Sequence, residues 1–144
     1  WLGEGIAGDD TDGHVDDLTR FVDAQSVVTV VEPDPQDPNH TPLQVNLQRL
    51  QAMCTQDGDS LRVIELPMPE PVLDQGERLP ASYANFYIGN RTVLMPSFGQ
   101  SRDADAQAIL KQCFPSRRVL PLDSIDLIWG LGSFHCLTQQ EPRG

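Results

Sequence analysis

The chain has 144 residues, enough for one domain with a buried core, with 39% hydrophobic and 22% charged residues. Its formal net charge of -11 argues against nucleic acid and anionic membrane surfaces as partners, because both are polyanions. No apolar run approaches the ~20 residues that span a bilayer, no signal-peptide pattern opens the chain, and the three scattered cysteines, without a C-x-x-C spacing, point to a reducing, cytoplasmic setting.

The opening, from Trp1, reads as mid-domain sequence, so part of a larger fold is expected. "GDDTDGHVDD", Gly8 to Asp17, follows, with five Asp, one His and two Gly in ten residues. A solvated loop whose Asp side chains cap nearby amides is the simplest reading of it. The H-x-D element inside it offers another. On a strand His14 and Asp16 would point to one face, an acid/base group beside an anionic binder.

Next come two apolar strands, "LTRFV" and "SVVTVVEP", joined at Asp23-Ala24-Gln25, and a Pro-rich loop holding a solvated His40. A helix is predicted over "TPLQVNLQRLQAM", with Thr41 as N-cap, Pro42 in the first turn, and Leu43, Leu47 and Leu50 recurring at helical spacing beside Val45. The strand "LRVIELPMP" closes the unit. "PEPVLDQGERLP" is a linker loop by composition.

The same order then repeats: strands "SYANFYI" and "TVLMPSF", a polar loop, a helix over "DADAQAILKQCF", and the strand "RRVLPL". Ala106, Ile109, Leu110 and Cys113 form that helix's apolar face, and Asp103 and Asp105 complement its N-terminal dipole. Both units read β-β-α-β, over roughly 14–69 and 80–122, and Phe21 and Phe86 of the two hairpins lie about 65 residues apart. A third copy is expected to start at 130–140, where "HCLTQQ" resembles "DDLTRF". First strands of radial repeats line a common axis, which would bring Cys136 to the His14/Asp16 pair. A Cys within reach of a His is the basic arrangement of nucleophilic catalysis. The glycine-rich turns at Gly8 and Gly13 and at Gly130 and Gly132 would let backbone approach a ligand closely.

"WLGEGIAGDDTDGHVDDLTRFV", "PASYANFYIGN" and "WGLGSFHCLTQQEP" closely resemble the agmatine deiminase family, grouped with bacterial-type peptidyl-arginine deiminases, over essentially the whole chain. The resemblance implies an α/β pentein, a propeller of five β-β-α-β modules, of which this chain supplies about two, from the C-terminal part. It implies guanidine hydrolysis: agmatine plus water gives N-carbamoylputrescine and ammonia, a step of putrescine and polyamine metabolism. By position in "FHC" Cys136 is the nucleophile. By position in "GHVD" His14 is the general acid/base and Asp16 grips the guanidinium. Asp10 is a further substrate contact, and Gly130 and Gly132 lie at the substrate. The partner is a small cationic guanidino compound, agmatine or an arginine-like molecule, and no cofactor or metal is needed.

The family's second guanidinium-binding Asp and an aromatic wall lie in modules with no counterpart here. A homo-oligomer or a companion N-terminal segment is therefore expected to cover the open edges. The competing reading is a catalytically impaired binding or assembly module. A metal site built from His14, Asp16, His135 and Cys136 is disfavoured, because adjacent strand residues diverge. The same alternation turns His135 away from the thiol, into packing. Cys54, Cys113, Trp129 and Phe134 are expected to pack, as are Tyr83 and Asn85, although one of the last two could touch the site.

Overall fold

The structure is a computed structural model that describes residues 2–9 and 13–141. The apolar run of Ser26–Val31 (β2) is the spine of the first unit. It pairs antiparallel with Thr19–Phe21 (β1) and parallel with Arg62–Pro67 (β3), and the helix His40–Gln51 (α1) makes the crossover. A parallel pair needs such a crossover, and the helix covers one sheet face with Leu43, Leu47 and Leu50. Val45 of the same helix faces outward, 39% exposed. The helix begins one residue before the expected cap. His40 is not solvated in a loop but opens the helix, with its Nδ1 2.7 Å from the Glu32 carbonyl oxygen.

Two short strands follow, Leu73–Asp74 (β4) and Glu77–Arg78 (β5), in the segment expected to be a plain loop. Gln75 (φ 47°) and Gly76 (φ 91°) both lie left-handed, as a two-residue type I′ hairpin turn requires. The second unit repeats the first: Tyr87–Ile88 (β6) antiparallel to Thr92–Ser97 (β7), which runs parallel to Arg118–Asp123 (β8) across the helix Arg102–Cys113 (α2). Arg102 binds the units together, donating to Glu32 Oε2 and to the Met68 carbonyl, both at 2.9 Å. Asp103 accepts from Tyr83 Oη at 2.6 Å and from the Phe98 and Gln100 amides, tying the helix start to the chain before it. No helix of the described residues is long and apolar enough to cross a membrane.

One predicted strand forms only at its end, and another does not form. Of "SYANFYI" only Tyr87–Ile88 pairs, because Arg20 donates to the carbonyls of Ala84 (3.3 Å) and Phe86 (2.9 Å) in place of a neighbouring strand. The run 130–140 is no first strand either. Leu127–Gly130 is a 3-10 helix, and Ser133 to Thr138 close on themselves through Leu137 N–H to the Ser133 oxygen and Thr138 N–H to the His135 oxygen, both 3.1 Å.

Candidate active site

Strand alternation does not position these side chains; two tight turns do. Val15–Asp17 is a 3-10 helix with His14 as its N-cap, and the His14 N–H donates to Asp9 Oδ2 at 2.7 Å. The short turn aims His14, Asp16 and Asp17 at the 133–138 turn. One ligand atom each of His14, Asp16, Asp17 and Cys136 lie within 4.8 Å of one another. The thiol of Cys136 reaches Asp16 Oδ2 at 3.2 Å across 120 residues of sequence. Cys136, His14 and Asp16 thus meet, as the H-x-D and F-H-C readings expected. Asp10 lies outside the described residues.

Asn85 holds the two turns together. Its Oδ1 accepts from the amides of Ser133 (3.1 Å), His135 (3.0 Å) and Cys136 (3.3 Å), and its Nδ2 donates to Asp17 Oδ1 (2.8 Å) and to Cys136 Sγ (3.0 Å). It is a core residue, 1% exposed, yet it touches the thiol. His135 corrects the packing assignment more sharply. It sits on a turn rather than a strand, and its Nδ1 lies 2.6 Å from Asp16 Oδ2. His135 and Cys136 therefore both reach Asp16 Oδ2 rather than diverging as strand neighbours would, but His135 is not among the four groups whose ligand atoms lie within 4.8 Å.

Of the remaining packing assignments, Trp129 is 55% exposed and Cys54 is exposed, whereas Cys113 and Phe134 are half-buried. Gly130 has open space where a side chain would go, so close approach does not explain it; at Gly132 a Cβ would lie 2.6 Å from both Cβ and Sγ of Cys136. Gly132→Ala is therefore expected to push the thiol off Asn85 and Asp16. Iodoacetamide labelling of Cys136 should shift in rate by about tenfold, with ~1–3 kcal/mol lost from stability. Unchanged labelling and unfolding would show that the contact is not felt.

The electrostatics are dominated by two adjacent carboxyls. Burial works to raise Asp16, but hydrogen bonds from His135 and Cys136 outweigh it and hold the carboxyl below its ordinary range. Burial pushes Asp17 up to about 7, with the Asp16 charge adding to the rise and the Asn85 hydrogen bond opposing it. The Cys136 thiol is raised, first by desolvation and then by Asp16, against the hydrogen bond from Asn85. The site therefore holds a thiol that a bound cation would help to ionise.

Asp17 has a consequence for stability. Its unfolded carboxyl titrates near 3.8, and the folded one holds its proton to about 7. The folded chain binds more protons inside that window, so this group's contribution to stability falls as pH rises through it and flattens above. Asp17→Asn is expected to gain stability over the parent as pH rises from about 5 to about 8, read as the difference in thermal midpoints. A difference independent of pH would contradict the buried, raised carboxyl.

Beside the site opens a cavity of about 540 Å³, lined by Val15, Asp16, Arg20, Phe21, Leu50 and His135 among others. It is mostly apolar and touches the site through Asp16 and His135.

Small α/β units thus bring a thiol, an imidazole and carboxylates to one point. The model of the Porphyromonas-type peptidyl-arginine deiminase family matches residues 1–142, and the chain belongs to that family. It is 37% identical over 160 residues to the agmatine deiminase of Pseudomonas fluorescens Pf-5, covering 99% of this chain and 44% of that protein. The agmatine deiminase structure from Enterococcus faecalis superposes with a TM-score of 0.92 at 31% identity, over 99% of this chain and 44% of that one. A Porphyromonas gingivalis structure, provisionally described as an arginine deiminase, gives 0.95 at 42% identity, over 98% and 42%. The chain spans between 41% and 44% of the length of curated relatives it matches.

Proposed function

We propose that this chain carries the nucleophile half of a guanidine deiminase site, with agmatine as substrate and N-carbamoylputrescine and ammonia as products. The observation that carries the reading is the meeting of Cys136, His14 and Asp16 at one point. Asp16 binds the planar cation and brings its carbon to the sulfur, since a carboxylate pairs with guanidinium through charge-assisted, directional hydrogen bonds. The Cys136 thiolate adds to that carbon. The carbon–nitrogen bond breaks as a protonated His14 gives its proton to the departing amine, leaving ammonia and an amidino group on sulfur. His14, now neutral, takes a proton from water. The oxygen adds, the sulfur leaves as thiolate, and the hydroxyl proton passes by way of solvent to the released ammonia as the ureido carbonyl forms. One guanidinium and one water become one urea and one ammonium, so charge and atoms balance.

Asp16 meets His135 in this structure, so binding requires the imidazole to yield its hydrogen bond to the guanidinium. We further assign the two β-β-α-β units, over roughly 14–69 and 80–122, to neighbouring blades of a pentein propeller. Additional protein, in the same polypeptide or a second copy, would complete the substrate clamp. Two findings support this: the chain's share of its relatives' length, and the exposed apolar Val15 (58%) and Phe21 (62%) at the cavity mouth. Those same exposed residues favour the second reading, an assembly module whose catalysis depends on a partner. A cytoplasmic place in polyamine metabolism is the setting this chemistry fits.

The test is direct. The protein is incubated with agmatine, and ammonia and ureido product are measured; the stalled reaction is searched by mass spectrometry for an amidino adduct on Cys136. Equal amounts of both products and an adduct on Cys136 support the reading. A chain that binds agmatine without either signal supports the assembly module.

A further inference from the structure

Asp17 is not used by the reaction proposed above. It is 1% exposed, and its Oδ1 takes the amide of Asn85, but its Oδ2 is buried with no hydrogen-bond partner among the described residues. A buried carboxyl oxygen left unpaired calls for a partner, and a cation is one that would replace the proton the group otherwise holds. The Asp17 carboxylate is also one of the four groups whose ligand atoms lie within 4.8 Å, with His14, Asp16 and Cys136.

We propose that His14, Asp16, Asp17 and Cys136 form a binding site for a divalent cation of the zinc class, which caps the thiol. The donor set selects the metal. Magnesium and calcium prefer all-oxygen shells, whereas thiolate with imidazole and carboxylate suits zinc. With bonds of about 2.0–2.3 Å, tetrahedral zinc sets its ligands roughly 3.3–3.8 Å apart, so the widest pair here closes by about 1 Å. The partners behind the donors are already placed. Asn85 Nδ2 bonds Asp17 Oδ1 and Cys136 Sγ, and His135 Nδ1 holds Asp16 Oδ2. Such outer contacts orient ligands and tune the site. His14 and Cys136 are exposed, so the ion enters from solvent on their side and meets Asp17 at the base. Binding releases to the medium the thiol proton and, below about pH 7, the proton of Asp17. The inference needs only the convergence of donors and does not rest on the deiminase reading. On that reading the ion competes with the guanidinium and switches the site off.

The test uses the protein prepared reduced and metal-free, without substrate. Calorimetric titration with Zn²⁺ should show one ion per chain, at about micromolar affinity or tighter. Co²⁺ should give the intense near-ultraviolet band of a thiolate ligand, and Zn²⁺ should protect Cys136 from iodoacetamide. Cys136→Ser should remove the Co²⁺ band, and both Cys136→Ser and Asp17→Asn should weaken Zn²⁺ at least about tenfold. Cys54→Ser and Cys113→Ser should change nothing. Absence of saturable binding, a band retained in Cys136→Ser, or Asp17→Asn binding as tightly as the parent would each overturn the proposal. Cys136 is exposed, so its substitution leaves the fold intact and the test readable.

Discussion

Cys136→Ser is expected to abolish ammonia release from agmatine, by at least about 10⁴-fold, with thermal stability within ~0.5 kcal/mol of the parent. The large effect follows from the surroundings of the sulfur. A thiol there is already raised by desolvation and by Asp16, and only the Asn85 hydrogen bond and a bound cation favour its anion. A serine hydroxyl starts several pKa units higher and meets the same negative neighbours, so no useful alkoxide forms. The small effect on the fold follows from exposure: Cys136 is exposed, and Ser preserves its shape. A variant that retains turnover within tenfold of the parent would move the nucleophile elsewhere, with Cys54 and Cys113 the remaining thiols. The measurement is a coupled ammonia assay beside a melting curve.

The two β-β-α-β units were legible because each depends on local pattern. "SVVTVV" is a continuous apolar run, as a strand buried between neighbours must be, and Leu43, Leu47 and Leu50 recur at the helical period. Where hydrogen-bond partners come from afar, local pattern misleads. Residues 82–86 look like strand but give two of their carbonyls to Arg20, more than sixty positions upstream. "SFHC" looks like strand too, yet three of its amides converge on a single side-chain oxygen of Asn85. Both misreadings had the same consequence at the site. Alternation on an imagined strand turned His135 away from the Cys136 thiol and favoured a core place for Asn85. On turns, neighbours in sequence share a face, so His135 and Cys136 both reach Asp16. The H-x-D pair survived the same error, because the 3-10 turn at Val15–Asp17 also gathers His14 and Asp16 on one side. Asp17, read only as one more Asp of an acidic loop, is the carboxyl that burial changes most.

Asn85→Ala carries the second large effect, and it strikes fold and site together. Alanine removes the acceptor shared by the amides of Ser133, His135 and Cys136, and the donor to Asp17. Buried polar groups left unpaired cost ~1–3 kcal/mol each and do not add fully, so a loss of about 3–5 kcal/mol is expected. The 133–138 turn has no strand neighbour among the described residues, so its register relaxes and the sulfur moves from Asp16. Turnover is expected to fall by at least about 10²-fold, even at temperatures where the variant stays folded. A purely structural role would predict a different pattern. The Asn85 amide opposes the rise in the Cys136 thiol, so its removal must push the thiol further up, and the pH profile of Cys136 alkylation must move to higher pH. Asn85→Asp separates the two roles. It keeps the acceptor that holds the turn but replaces the amide donor by a third carboxyl beside Asp16 and Asp17. Its melting point should lie between those of parent and alanine variant, while its alkylation profile shifts as far as that of alanine, or further. An alanine variant that melts and alkylates like the parent would mean that the turn holds itself, and that the thiol owes its position to Gly132 and Asp16 alone.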